Sequence, residues 1–172
     1  MTPEQLVRIM PYAASRAPVF ADPLTDAMVE FGIDTPQRQA AFLAQVAHES
    51  GSLRYVKELA DGVGYEGRKD LGNTSPGDGP KYKGRGLLQI TGRANYLACG
   101  VALGLDLIAS PELLEQPQHA CRSAAWFWKS HSLNQFADKD EFGALTKRIN
   151  GGFNGLDDRI QHWLRARKVL AL

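Results

Sequence analysis

The sequence predicts a mainly α fold, separated from α+β by a narrow margin. Three observations carry this. Apolar residues recur at helical spacing through most of the 172-residue chain, and glycines and prolines punctuate those segments. Only one short stretch, Leu87 to Thr91, reads as a strand. A hydrophobic content of 44% and a charged content of 23% are ordinary globular values. At this length the chain reads as one domain, residues 1–172, long enough for a sizeable core and able to fold as two lobes.

Taken in order, residues 3 to 14 form a first helix, with Leu6, Ile9, Met10 and Ala13 on one face. A second runs from about Asp22 to Phe31 and closes at Gly32. The third follows Thr35, a good N-cap, with Pro36 at its first position and Gly51 as its stop. From Asp61 to Gly86 the character changes: eight glycines and two prolines with no sustained period. Loops longer than about 15 residues are uncommon inside a domain and tend to be functional. After the strand-like LLQIT, the segment ANYLACG resumes helix. Pro111 and Pro117 each open a helix in a small lobe of about residues 100–135. There Cys121, Ala124, Ala125 and Trp128 point inward. The rings of Trp126, Phe127 and Trp128 read as core more than as a sugar platform, though one could serve both. A helix over about 139–149 stops at Asn150-Gly151-Gly152. The last, 156–170, buries Leu156, Ile160, Trp163 and Leu164.

The third helix holds the chemistry. It is apolar on nearly every side, as a helix in the middle of a domain is, yet it ends on His48 and Glu49. Burial and the negative end of the helix dipole both disfavour the charged form of Glu49, which suits a general acid. Nine residues on, Glu58 sits beside Lys57 and four residues after Arg54, charges that favour its ionised form. Two carboxyl groups in opposed environments are a pattern for dividing acid and base roles. The plain alternative is a solvated helix end and an Arg54–Glu58 pair.

Other chemistries lack their residues. The four histidines show no HExxH or comparable ligand spacing, and no GxSxG or phosphate-cradling loop occurs. Cys99 and Cys121 read as buried reduced thiols. With 20 basic and 19 acidic residues and no block of like charge, nucleic acid is not favoured as a partner. No stretch approaches the ~20 apolar residues of a membrane span. The start, MTPEQLVRIMPYAASR, lacks the pattern of a signal peptide, so the expectation is a soluble protein made in the cytoplasm. What remains is the two carboxylates and a set of neutral hydrogen-bonding side chains, Gln89, Thr91, Asn95, Asn150 and Asn154, suited to sugar hydroxyls and N-acetyl groups.

HES at 48–50, YKGRGLLQITGRANY at 82–96 and INGG at 149–152 together resemble glycoside hydrolase family 19, the plant-type chitinase fold shared with phage endolysins. The resemblance spans roughly Gln37 to Arg159, and the chain is similar throughout to single-domain endolysins of phages infecting Gram-negative hosts. It implies a two-lobed, lysozyme-like helical fold with a substrate cleft. It also implies Glu49 as general acid, Glu58 as general base and Thr91 as a holder of the attacking water. Gln89, Asn95, Tyr96 and Asn150 would line the sugar cleft, and Arg159 of DDR would lie beside the acid. Where chitinases often carry a glutamate partner for that arginine, this chain has Asn154. The glycine-rich 61–86 segment would form a wall or lid, with Gly84 and Gly86 allowing close backbone approach to substrate.

The expected activity is inverting hydrolysis of β-1,4 bonds in peptidoglycan, causing host cell lysis, with no cofactor or metal. Alternatives are a chitinase, a lytic transglycosylase needing only Glu49, or a glycan-binding module with a decayed site. The resemblance further implies a monomer whose access to the cell wall depends on a holin-type membrane permeabiliser. It would be made in the host cytoplasm and act in the periplasm.

Overall fold

The first helix, α1 (Pro3–Ile9), is started by a capping box: Thr2 accepts from the Gln5 N–H while the Gln5 side chain returns to the Thr2 N–H. It ends earlier than its apolar spacing suggests. Pro11 disfavours a helical Met10, which is extended (φ −123°, ψ 83°), and the chain resumes as a single 3-10 turn, Pro11–Ala13. The computed structural model describes every residue, Met1–Leu172. α2 spans Ala17–Glu30, opening earlier than expected on the Ala17-Pro18 pair. α3 spans Pro36–Glu49, with Thr35 Oγ1 accepting from the Arg38 N–H at 3.3 Å.

The glycine-rich stretch is a chain of short turns around one four-residue helix, α4 (Asp78–Lys81). It is anchored: buried Asp78 accepts from the N–H groups of Thr74 and Ser75 and pairs with Arg93 at 2.9 Å. The LLQIT strand does not form. Gly86 and Gln89 both take left-handed backbone (φ 83° and 51°), so the chain doubles back and Arg85 exchanges backbone bonds with Ile90. The β element reduces to two isolated bridges, Lys57 with Arg85 and Arg85 with Ile90.

The remaining helices are α5 (Arg93–Leu103), α6 (Pro117–Ser130), α7 (Asn134–Ala137), α8 (Phe142–Asn150) and α9 (Leu156–Val169). The main core is built from α1, α2, α3 and α6, with Phe42 meeting Trp128 edge-on at 5.4 Å. A smaller apolar cluster gathers Tyr82, Ile90, Tyr96, Cys99, Leu103, Leu107 and Leu114. The inward face of α6 thus belongs to the main core, whereas sequence spacing grouped it with residues 100–135. On α9 the inward stripe is Arg159, His162 and Ala166, and Leu164 is 52% exposed. Polar residues take that stripe because each has a partner there: His162 Nδ1 lies 2.9 Å from the Ile9 carbonyl, and Arg159 bonds Gln45 and Glu49 of α3.

Candidate active site

Glu49 closes α3, with its side chain 22% exposed, and the first residues of α9 hold it. Arg159, 1% exposed, donates from Nη2 to Glu49 Oε1 at 2.6 Å, from Nη1 to Gln45 Oε1, and from Nε to the Asn154 carbonyl at 3.2 Å. Gln45 in turn donates to Thr146 Oγ1 on α8 at 2.9 Å. A buried guanidinium with every nitrogen used is a fixed counter-charge. Glu49 Oε2 makes no hydrogen bond to protein. Arg159 stands beside the acid, and at 1% exposure it has no open face for a substrate. The Asn154 backbone carbonyl supplies part of what a glutamate side chain would.

Glu58 sits in the segment after α3, tied to the glycine-rich turn by its N–H to the Gly84 carbonyl at 3.0 Å and by Gly86 N–H to Val56 at 2.9 Å. The positive neighbours inferred from sequence are engaged elsewhere: Lys57 pairs with Glu115, and Arg54 lies over the Tyr55 ring. Glu58 Oε2 instead accepts from the Tyr65 hydroxyl at 3.0 Å. Burial and that carboxylate push the Tyr65 phenol above its usual range, so it stays a donor. Glu58 Oε1 is buried and has no partner at all.

Gly84 explains why Gln89 belongs with Glu58. A Cβ on Gly84 would lie 2.1 Å from Gln89 Oε1 and 2.7 Å from Glu58 Oε2, so both side chains press onto the one bare backbone position. The close approach at Gly84, and likewise that of Ser123 at Gly86, is made by protein side chains rather than by substrate.

Gln89, Thr91 and Asn95 line a cavity of about 120 Å³, walled on its far side by Trp126, Phe127 and His131. Thr91 is half-buried, its hydroxyl donating weakly to the Gln89 carbonyl at 3.4 Å, and Asn95 Nδ2 bonds the Thr91 carbonyl at 2.7 Å. Tyr96 does not join them. One residue further along α5 turns it about 100° away, into the smaller cluster. There it is fully buried 5.3 Å from Tyr82, donates to the Lys83 carbonyl at 2.6 Å and receives Arg85 Nη1 at 3.1 Å. Asn150, exposed at the end of α8, makes no hydrogen bond to the other candidates.

Residues 25–140 match the profile of glycoside hydrolase family 19, described as chitinase class I. The chain belongs to glycoside hydrolase family 19. A family 19 domain-containing protein of Haemophilus influenzae is 33% identical over 159 residues, covering 74% of this chain and 78% of its own length. An endochitinase of Arabidopsis thaliana is 40% identical over 141 residues, covering 77% of this chain but 48% of its own. The chain therefore spans about half the length of that plant relative. Among solved structures, chitinase C from Streptomyces griseus superposes with a TM-score of 0.77 at 28% identity, over 98% of this chain and 76% of the other. Another bacterial family 19 chitinase gives 0.77 at 25% identity, over 99% and 94%. The protein is a chitinase-type family 19 glycoside hydrolase with the lysozyme-like helical fold of that family.

Sequence reasoning missed Gln45, Tyr65 and His131. Gln45 left a signal: one amide inside the otherwise apolar run Ala40–Ala47, four residues before Glu49 and so on the same face. Tyr65 left none, because only long-range packing brings it to the site, and the same packing picks Trp126 out of the aromatic cluster 126–128.

Proposed function

We propose that this family 19 enzyme hydrolyses the β-1,4 glycan strands of bacterial peptidoglycan by an inverting acid–base mechanism. The observation that carries the mechanism is the unequal use of oxygens by the two carboxyl groups. Glu49 is held by one oxygen to a buried guanidinium, leaving Oε2 to carry the transferable proton. Arg159 can donate to Oε1 whether or not Oε2 is protonated, so the acid keeps its position through the cycle. Glu58 is held by one oxygen to Tyr65, leaving a buried, unpartnered Oε1 to take a proton from the attacking water. Thr91 orients that water, and Gln89 and Asn95 bind the sugar with Trp126 as its apolar wall. A lytic transglycosylase needs no second carboxylate and leaves Glu58 without a task. A binding module would leave both carboxyl groups idle.

Resemblance to single-domain endolysins supports peptidoglycan as substrate, with host cell lysis as outcome. On this reading the enzyme is a monomer made in the host cytoplasm that reaches the wall once a holin-type protein permeabilises the membrane. The names of the endochitinase relatives favour a second reading, cleavage of N-acetylglucosamine polymers with the same residues. Mass analysis of digested peptidoglycan beside chitin oligosaccharides separates them. Hydrolysed muropeptides with reducing ends support the proposal. Anhydro ends, or cleavage of chitin alone, refute it.

A further inference from the structure

The largest cavity of the protein is not the one that holds Gln89 and Thr91. It measures about 610 Å³, within the range of ligand sites, and opens on the opposite flank of the α3 terminus between α3, the turn after α1, and α9. Arg16, Arg54 and His48 line it, together with the rings of Tyr12 and Tyr55 and a single acid, Asp158. That acid is spent on His48, 2.7 Å away, and neither arginine has a carboxylate partner. Arg16 makes one hydrogen bond, Nε to the Leu53 carbonyl at 3.3 Å, and lies over the Phe20 ring, and Arg54 only lies over Tyr55. Tyr12 is 88% exposed, a flat ring offered to solvent at the rim.

The floor is built rather than incidental. Ser52 and Leu53 both take left-handed backbone (φ 60° and 67°), conformations that cost non-glycine residues energy. Buried Ser50 holds them there, accepting from the Leu53 N–H at 2.8 Å and donating to the Val46 carbonyl. One wall of the cavity, His48, is the residue that precedes the acid on α3. Consecutive residues of α3 pair with consecutive residues of α9, His48 with Asp158 on the cavity side and Glu49 with Arg159 beside it.

We propose that this cavity binds the carboxylate-bearing peptide branch of peptidoglycan. The inference rests on peptidoglycan being the substrate. Two unpaired guanidinium groups beside aromatic rings recognise carboxylates and peptide planes. A neutral N-acetylglucosamine polymer offers no anion for them. The cavity makes the enzyme selective for glycan that still carries its acidic peptides, and it positions those strands next to Glu49.

Arg54→Glu is a surface change that reverses the charge, and Arg54→Lys keeps it. KM and kcat are measured on intact peptidoglycan and on the same glycan stripped of peptide by an amidase. The expected result for Arg54→Glu is a KM raised about tenfold on intact glycan at unchanged kcat, with no change on stripped glycan; Arg54→Lys restores most of the loss. Equal loss on both substrates, or no loss on either, overturns the proposal. A direct titration keeps it separate from the substrate assignment. A synthetic stem tetrapeptide with free carboxylates should shift the NMR signals of Tyr12 and Tyr55, its fully amidated counterpart should not, and Arg54→Glu should abolish the effect. If the wild type cuts only chitin, the substrate reading fails, and this titration alone decides the cavity. Absence of peptide binding then overturns it.

Discussion

Replacing Gly84 with alanine probes the site without touching a group assigned to the chemistry. Gly84 does not have positive φ, so alanine meets no backbone strain there. The added methyl carbon would sit 2.1 Å from Gln89 Oε1 and 2.7 Å from Glu58 Oε2, where ordinary contact begins at 3.4 Å. Relief therefore requires Gln89 to retreat by 1.3 Å (3.4 less 2.1) and Glu58 by 0.7 Å (3.4 less 2.7). Both obstructing atoms are ends of flexible side chains, so the cost in stability is small, about 1 kcal/mol. The cost in rate is not, because misplacing a reacting group by about 1 Å can lose 10²-fold. The assay is turbidity clearing of outer-membrane-stripped cells, with a melting curve on the same preparation. The expectation is a rate down by about 10²-fold with a near-native melting temperature. A folded Gly84→Ala protein within a few-fold of wild type would show that Glu58 and Gln89 do not act from the positions seen here.

Five further outcomes follow from individual contacts. Glu49→Gln removes the transferable proton and should lower lysis by ~10²–10⁴-fold; near-normal lysis by the folded variant would falsify the acid assignment. Wild-type activity should be bell-shaped in pH, falling on the acidic side as the base is protonated, and the residual activity of Glu58→Gln should lose that acidic limb. An unchanged limb points to another base. Thr91→Ser should lose little activity and Thr91→Val much, with similar melting temperatures; a stable, active valine variant beside an unstable, inactive serine one would make Thr91 a packing residue. Tyr96→Phe strips hydroxyl partners from buried Arg85 and from the Lys83 carbonyl, so the melting temperature should drop, by about 1–3 kcal/mol in stability, at unchanged KM. A raised KM at native stability would return Tyr96 to the cleft. Finally, burial pushes the Cys99 thiol up to about 12 and Cys121 higher still. Both thiols are buried, so Ellman's reagent should react slowly until the protein is denatured.

The sequence by itself determined what is local. Thr35, Pro36 and the apolar spacing on α3 act through bonds reaching three or four residues, and α3 stands where expected, whereas α1 starts as expected but ends at Ile9. It also determined the family, because HES, the 82–96 motif and INGG are contiguous strings. The 82–96 motif brings Gln89, Thr91 and Asn95 to one cavity, but it does not tell which way a neighbour points. Tyr96 stands next to Asn95 in the motif and faces the other side of α5, where Arg85 and Lys83 hold its hydroxyl. LLQIT has the composition of a strand, yet left-handed backbone at Gly86 and Gln89 leaves it no partner to pair with along its length. Only the tertiary structure decided the electrostatics of the two acids. Their controlling groups lie far off in the chain or on the turn opposite: Arg159 is 110 residues from Glu49, and Tyr65 displaces the nearer Arg54 and Lys57 as the partner of Glu58. Coulomb and hydrogen-bond energies depend on distance in space. Sequence neighbours set them only where the backbone happens to hold the two side chains together.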